Sequence, residues 1–449
     1  MALLGICLSA TGWADDSTAQ HRVATFSADV TIPLEHRCMG LLPTKSRRVA
    51  DPLEAHGFVL LGPAQPIVFV AIDWCEIRNG AYDAWRDGLA VAAQTSRERV
   101  MVCALHQHDA PVTDAGAARL LREAGLPGEL YDEAFHAEAI ERVAAALRDG
   151  LQSTTLISHV GVGVANVERI ASNRRVVRAD GRVAFDRGSR SAGDPVHSAA
   201  PEGEIDPQVK TLSFWNGEHP VVALSVYATH PMSRYGAGIV SADFVGLARR
   251  ERQQATPDTL QIYASGCSGD VTAGKYNDGS DADRVGLISR LAAGMEQAWV
   301  ATVKTPLEQV EFRSTPLLLE YYQHLELQPN RLRTKLADTT ARVEDRIYAA
   351  MGLSCWERVQ SGQPIDLVCL DVGPAQVVLF PGESFVGYPL LAQELSPDST
   401  VLSVGYGECW PGYIPTDAAF ADHFHDKWLW VAPGSERRVR TALLKVLRH

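Results

Sequence analysis

The chain has 449 residues, of which 46% are hydrophobic and 21% charged, an ordinary globular mix with enough apolar material for a large core. That length suits two domains or one elaborated α/β domain. The formal net charge of -12, with no lysine- or arginine-rich run, argues against nucleic acid or an anionic membrane surface as the main partner.

Residues 1–20 resemble a signal peptide or form a disordered tail. Met1 to Ala10 is apolar, and Gly12-Trp13-Ala14 offers small residues for cleavage, although no positive charge precedes them. Export to the periplasm or beyond is therefore expected. Leu4-Gly5-Ile6-Cys7 is a poor lipoprotein box, because Ile6 is large where a small residue is wanted. No later segment has the roughly 18 uninterrupted apolar residues of a membrane span. The eight cysteines are dispersed without Cys-x-x-Cys, which excludes the familiar zinc-finger spacings and leaves room for one or two disulfides. Nothing in the sequence signals an oligomeric state.

From about residue 57 the hydrophobic period alternates between strand and helix. Strands are predicted at 58–61 and 67–72, a helix at 79–93, a strand at 99–105 and a helix at 132–148. Further strands are predicted at 156–165, 209–214, 220–228 and 260–264, with helices at 243–254 and 283–300. The stretch 179–206, rich in Gly, Ser and Arg, reads as a long loop or β-excursion beside the site. A long strand over 310–325, a helix over 330–351, strands at 377–380 and 400–404, and a basic amphipathic helix over 434–448 complete the series. No internal repeat and no interdomain linker is visible. The pattern predicts an α/β fold, a mixed β-sheet core flanked by helices.

Several strands end alike, in an apolar run followed by polar residues with Gly or Pro. Val100 to Leu105 leads into His106-Gln107-His108, where two imidazoles at i and i+2 of an extended chain share one face. Val226-Tyr227-Ala228-Thr229 leads to His230, and Ile262 to Ala264 runs into Gly269-Asp270-Val271-Thr272. Val378-Leu379-Phe380 leads to Pro381-Gly382-Glu383, and Val404 leads through Tyr406 to Tyr413. Ligands of open α/β sheets bind beyond the carboxyl ends of strands. His, His, Asp, Glu and Tyr gathered there make a mononuclear metal site, with imidazole as a common zinc ligand. Taken singly, each has a plainer explanation. Glu383 could favour a helix N-terminus, Tyr413 could pack beside Trp410, and Arg174 with Arg175 could form a solvated turn. Cys267 reads as a small buried residue, and His423-Phe424-His425 as a rim of the pocket.

The ordered blocks resemble the neutral/alkaline, non-lysosomal ceramidase family. Ala28-Asp29-Val30-Thr31 is similar to the family's Asp-Ile-Thr element, and Asp51-Pro52-Leu53-Glu54-Ala55 to its Asp-Pro-Leu-Tyr-Ala. Ala71-Ile72-Asp73 is similar to the Asp-bearing strand that follows. His106-Gln107-His108-Asp109-Ala110-Pro111 stands where the family has Thr-His-Thr-His-Ser-Gly-Pro, and Ser172-Asn173-Arg174 matches its Asn-Arg. Ala228-Thr229-His230-Pro231 is identical to Ala-Thr-His-Pro. Gly269-Asp270-Val271-Thr272, Pro381-Gly382-Glu383 and Gly412-Tyr413-Ile414-Pro415-Thr416 are similar to the later blocks. The resemblance spans roughly residues 24 to 425 and implies one ceramidase-like catalytic domain over 21–449. The immunoglobulin-like domain that follows in characterised ceramidases is not expected here.

By the same resemblance, Zn2+ would be held by His106, His230, Glu383 and Tyr413. His108 would stabilise the oxyanion or shuttle protons, Arg174 would orient a substrate oxygen, and Asp270 and Thr272 would line the reacting carbonyl. The implied activity is zinc-dependent hydrolysis of a linear amide by metal-activated water, on a small-molecule or lipid N-acyl substrate. A metal-dependent deacetylase or esterase acting on a sugar or cell-wall amide is the alternative, and a non-catalytic binding protein with the same fold is a third. Thr272 stands for the family's Ser, Ala273 for its Pro and Asp109 for the Ser after the second His, all on the carbonyl-binding wall.

Overall fold

The computed structural model describes residues 20–448, so the expected signal segment and Cys7 lie outside the described residues. Three mixed sheets carry the chain, with helices on their outer faces. The first runs Val100–Ala104, Ile67–Ile72, Glu54–Leu61, His21–Asp29, Thr155–Ile157 in spatial order. The second runs Leu260–Ser265, His219–Tyr227, Gln208–Asn216, His159–Asn166, Val303–Pro306. The third runs Thr400–Val404, Ala375–Leu379, Ile365–Asp371, Glu311–Leu317. The α/β expectation holds.

Laid side by side, the sheets reveal a threefold internal repeat that the sequence hides. Each begins with three antiparallel strands. A helix then crosses over to a fourth strand, parallel to the third. The crossover helices are Asn79–Ala93, Asp243–Ala255 and Gly387–Leu395. A second helix follows the fourth strand in every unit and packs back on the first strand: Glu133–Leu151, Asp281–Val300 and Ser435–Val446. Asn79 and Asp243, equivalent first residues of two crossover helices, both take φ of 53°. The fourth strands are short apolar runs buried along their length, as parallel strands covered on both faces must be.

The three fourth strands meet edge to edge. Ala104 N–H donates to Tyr406 O at 2.9 Å, Gly405 N–H to Ser265 O at 2.9 Å, and the Ser265 hydroxyl to Leu105 O at 2.7 Å. Alternate residues of the first sheet face two cores: Val68, Val70 and Ile72 face one, Phe69, Ala71 and Met101 the other. The second core is shared by all three sheets and includes an edge-to-face contact of Phe58 with Phe214, centroids 5.6 Å apart. Every loop after a third or fourth strand therefore opens toward one junction.

Several predicted elements differ. The 156–165 strand is two, because the chain changes sheets at Ser158, whose N–H donates to Trp215 O. The 310–325 strand stops at Leu317. The 330–351 helix is broken into Pro329–Ala337 and Val343–Gln360, where the Asp338 carboxylate accepts from the Thr340 N–H and hydroxyl. The 179–206 stretch holds a hairpin strand, Val183–Phe185, and a short helix, Pro195–Ala199. Strand His21–Asp29 and helices Ala115–Glu123 and Gly387–Leu395 were not foreseen. The seven described cysteines are buried free thiols, so the disulfides allowed for above do not occur among the described residues.

Candidate metal centre

His106 follows the fourth strand of the first unit, His230 the third strand of the second, and Glu383 the third strand of the third. One unit thus supplies one side chain each. His230 Nε2 lies 3.0 Å and His106 Nε2 3.3 Å from Glu383 Oε2, with all three residues buried. The opposite imidazole nitrogens are occupied by carbonyls. His106 Nδ1 donates to Cys75 O at 3.1 Å, and His230 Nδ1 to Ser268 O at 2.6 Å. A carbonyl only accepts, so each ring carries a proton on Nδ1 and presents Nε2 to the carboxylate. Two imidazole nitrogens and a carboxylate converging in a buried place have the chemistry of a cation's donor set once Nε2 is unprotonated, and the residues fit a zinc ion.

The electrostatics follow from this convergence. Burial raises the Glu383 carboxyl, but the flanking imidazoles outweigh it and hold the group well below the usual carboxylate range. Burial lowers His106, yet the Glu383 and Glu76 carboxylates outweigh it and leave the ring raised. Burial and the Arg174 charge push His230 down to about 4. The two rings differ in their other neighbours: Glu76 adds a second carboxylate beside His106, whereas the Arg174 guanidinium acts on His230.

Tyr413 pairs with Glu383 in register between two short parallel strands, Glu383–Ser384 and Tyr413–Ile414, so both side chains leave on one face. Its ring centroid is 6.4 Å from that of His230, and the Arg174 guanidinium sits 5.6 Å over it. His108 packs its ring 5.1 Å from His106, and both its nitrogens are buried without a partner. Burial first, then His106 and His230, push its pKa well below the ordinary value and keep it neutral. The extended i, i+2 pairing foreseen for the two imidazoles is not how they meet. The strand ends at Ala104, and His106 takes φ of 71°, a left-handed conformation rare for a side-chain-bearing residue.

The other expected residues gather nearby, with their polar atoms largely engaged. The Asp270 carboxylate accepts from Asn173 Nδ2 and from Val386 N–H, both at 2.8 Å, and burial pushes its pKa up to about 6. Arg174 N–H donates to Asp270 O at 2.6 Å, while Arg174 Nε has no partner. The Thr272 hydroxyl accepts from Gly274 N–H at 3.0 Å. Asp109 accepts from Gly236 N–H at 3.0 Å and holds the loop that brings Tyr235 to 5.2 Å from His108. Cys267 is a small buried residue, as expected, and His425 lines a neighbouring cavity.

Sequence reasoning missed Tyr406. Its ring stacks on His106, with centroids 4.4 Å apart and planes at 14°. Its hydroxyl lies 2.8 Å from Ser268 Oγ and 3.4 Å from His230 Nδ1. It stands two residues past the fourth strand of the third unit, as His106 does in the first, and shares the left-handed backbone with φ of 57°. Only the repeat could have marked it.

These features define a mixed α/β protein with a buried two-histidine, one-carboxylate cluster where three sheets meet. The fold is that of the neutral ceramidases. Neutral ceramidase from Pseudomonas aeruginosa superposes with a TM-score of 0.67 at 16% identity, over 95% of this chain and 74% of that one. A ceramidase complexed with C2 gives 0.69 at 14%, with the same shares. No family model and no curated protein matches the sequence.

Proposed function

We propose that this chain is a zinc-dependent amidohydrolase that cleaves a linear amide of the N-acyl amine class, as the ceramidases it resembles in fold do by name. The observation that carries the reading is the convergence of His106 Nε2, His230 Nε2 and Glu383 Oε2, with each Nδ1 anchored on a carbonyl. Zn2+ held by these residues and Tyr413 would polarise the amide carbonyl and lower the pKa of water to near neutrality. His108, neutral and unpartnered at both nitrogens, is free to carry a proton to the leaving amine or to donate to the developing oxyanion. Arg174, with Nε unpartnered beside the cluster, orients a substrate oxygen. Asp270 acts mainly by holding Asn173, Val386 and the Arg174 backbone, and Thr272 completes the wall through Gly274. The left-handed strain at His106 and the unpartnered nitrogens of His108 favour an enzyme over a binding protein that only kept the fold.

Among the described residues no helix is long and apolar enough to cross a membrane. On the leader-like residues 1–20 we infer export. The test combines metal analysis of the purified protein with hydrolysis of long- and short-chain N-acyl amines, with and without a chelator. One equivalent of zinc and chelator-sensitive cleavage are expected. Stoichiometric zinc retained by His106→Ala protein would overturn the ligand assignment.

A further inference from the structure

Beside the cluster lies a cavity of about 820 Å³, bounded by helices Pro329–Ala337 and Val343–Gln360 and by the segment around Asp426. We infer that this cavity binds a hydroxylated, sugar-like group. The inference rests on the lining of the cavity and stands or falls separately from the hydrolase reading above.

The cavity and the cluster share a wall. Asp426 lines the cavity and is close enough to Arg174 and Tyr413 for their charges to act on one another. Phe424, two residues earlier, packs edge-on against Tyr413 at 5.5 Å, and Tyr413 N–H donates to Trp428 O at 3.0 Å. The segment Phe424 to Trp428 therefore separates a ligand seated in the cavity from the cluster.

Its lining selects the class. Three rings stand in series, Tyr322 to His324 and His324 to His425, each step 5.6 Å between centroids. Around them charges of both signs alternate. Arg331 pairs with Glu326 and Arg342 with Asp345, whereas Lys335 and Lys427 make no side-chain hydrogen bond or ion pair among the described residues. A long acyl chain there would strip water from these groups without replacing its hydrogen bonds. A phosphate would face the Asp338 and Asp426 carboxylates. A pyranose-like ring fits both features: its C–H faces lie on aromatic rings, and its hydroxyls both donate and accept. The volume is within the usual range of small-molecule sites.

The test is calorimetric titration of the zinc-loaded protein with N,N′-diacetylchitobiose. Two variants distant from the cluster accompany it: His324→Ala, which interrupts the ring series, and the exposed Asn330→Trp, which fills the cavity. Saturable binding is expected, weakened at least about tenfold by each variant, with circular dichroism unchanged. Binding should persist after chelation, because no metal ligand lines the cavity. Absence of binding, equal binding by both folded variants, or displacement of the sugar by N-hexanoylsphingosine would overturn the inference. Should zinc content and N-acyl amine hydrolysis survive while the sugar fails to bind, this inference falls alone. Sugar binding by a protein that takes up no zinc when the metal is supplied would instead sink the hydrolase reading.

Discussion

Gly269→Ala tests whether the loops, rather than the ligands alone, build the cluster. A Cβ added at Gly269 would lie 2.1 Å from the Glu383 carbonyl oxygen and 2.9 Å from its carbon. Carbon contacts rest at about 3.5–4.0 Å, so one backbone must yield by about 1 Å. Both partners are constrained. Gly269 N–H donates to Ser384 O at 3.0 Å, and Glu383 is paired in register with Tyr413. The displacement therefore reaches two proposed ligands at once. Overpacking of this kind costs about 1–3 kcal/mol. If the strain is relieved by moving Glu383, it appears as metal affinity, a loss of about 5- to 150-fold. The assay is zinc competition against a chromophoric chelator, with melting curves of metal-free and zinc-loaded protein. A smaller zinc-induced rise in Tm should accompany the weaker affinity. Zinc affinity within twofold of the parent, alongside a lowered Tm in both forms, would refute the reasoning, because the strain would then sit in the fold and spare the ligand.

Three other outcomes are expected. His108→Ala should keep its zinc and lose about 10²–10⁴ in kcat with little change in KM; unimpaired turnover on N-acyl amines would remove His108 from the chemistry. Tyr406→Phe removes the hydroxyl between Ser268 and His230 but keeps the ring on His106, so zinc affinity should fall about tenfold, and further in Tyr406→Leu. Equal affinities across the three proteins would leave Tyr406 without a positioning role. Burial raises the Glu408 carboxyl to about 7, against an ordinary value near 4.3. The folded state thus holds this proton more tightly than the unfolded one. The associated stability is full below about pH 4 and lost as pH rises through 7, a decline of about 3 kcal/mol between pH 5 and pH 8. Urea unfolding at pH 5 and pH 8 should show that decline in the parent and not in Glu408→Gln; parallel behaviour of the two would refute it.

The residues that end buried parallel strands were legible in the sequence. An apolar run such as Val100–Ala104, stopped by polar residues and proline, marks a sheet end wherever it lies, and the side chains beyond it share one region. That logic reached His106, His230, Asp270 and Glu383, and the family resemblance added Tyr413; these residues lie close together, and their metal is a proposal. The hydrogen-bond economy around them was not legible. Asp270 looks like a reacting carboxylate in sequence, yet its oxygens are engaged by Asn173 and Val386, more than 90 positions away. Tyr406 escaped because its contribution is shape, a flat ring over an imidazole, and residue type alone does not announce that.

The repeat explains why the site is where it is and why the sequence conceals it. Register places Ala104, Ser265 and Val404 at equivalent positions, opposite Ile72, Tyr227 and Leu379. Two residues on stand His106, Cys267 and Tyr406, an imidazole, a thiol and a phenol. Three copies of one unit, each closing a parallel pair at the same junction, would offer three identical sets of loops, and each loop is free to specialise so long as the junction bonds remain. Those bonds are made by backbone groups and one serine hydroxyl, so they constrain sequence weakly. Gly266 and Gly405 keep a common trace, since a Cβ on either would sit 3.1–3.2 Å from the neighbouring backbone of Ala228 or Cys267. A metal needs donors that differ in charge and direction, and a symmetric junction meets that need only by breaking its symmetry. On this view the first unit gave an imidazole after its fourth strand, the second an imidazole after its third, and the third a carboxylate and a phenol. The units therefore differ at the positions where a sequence comparison would look for likeness, and what they share is strand order.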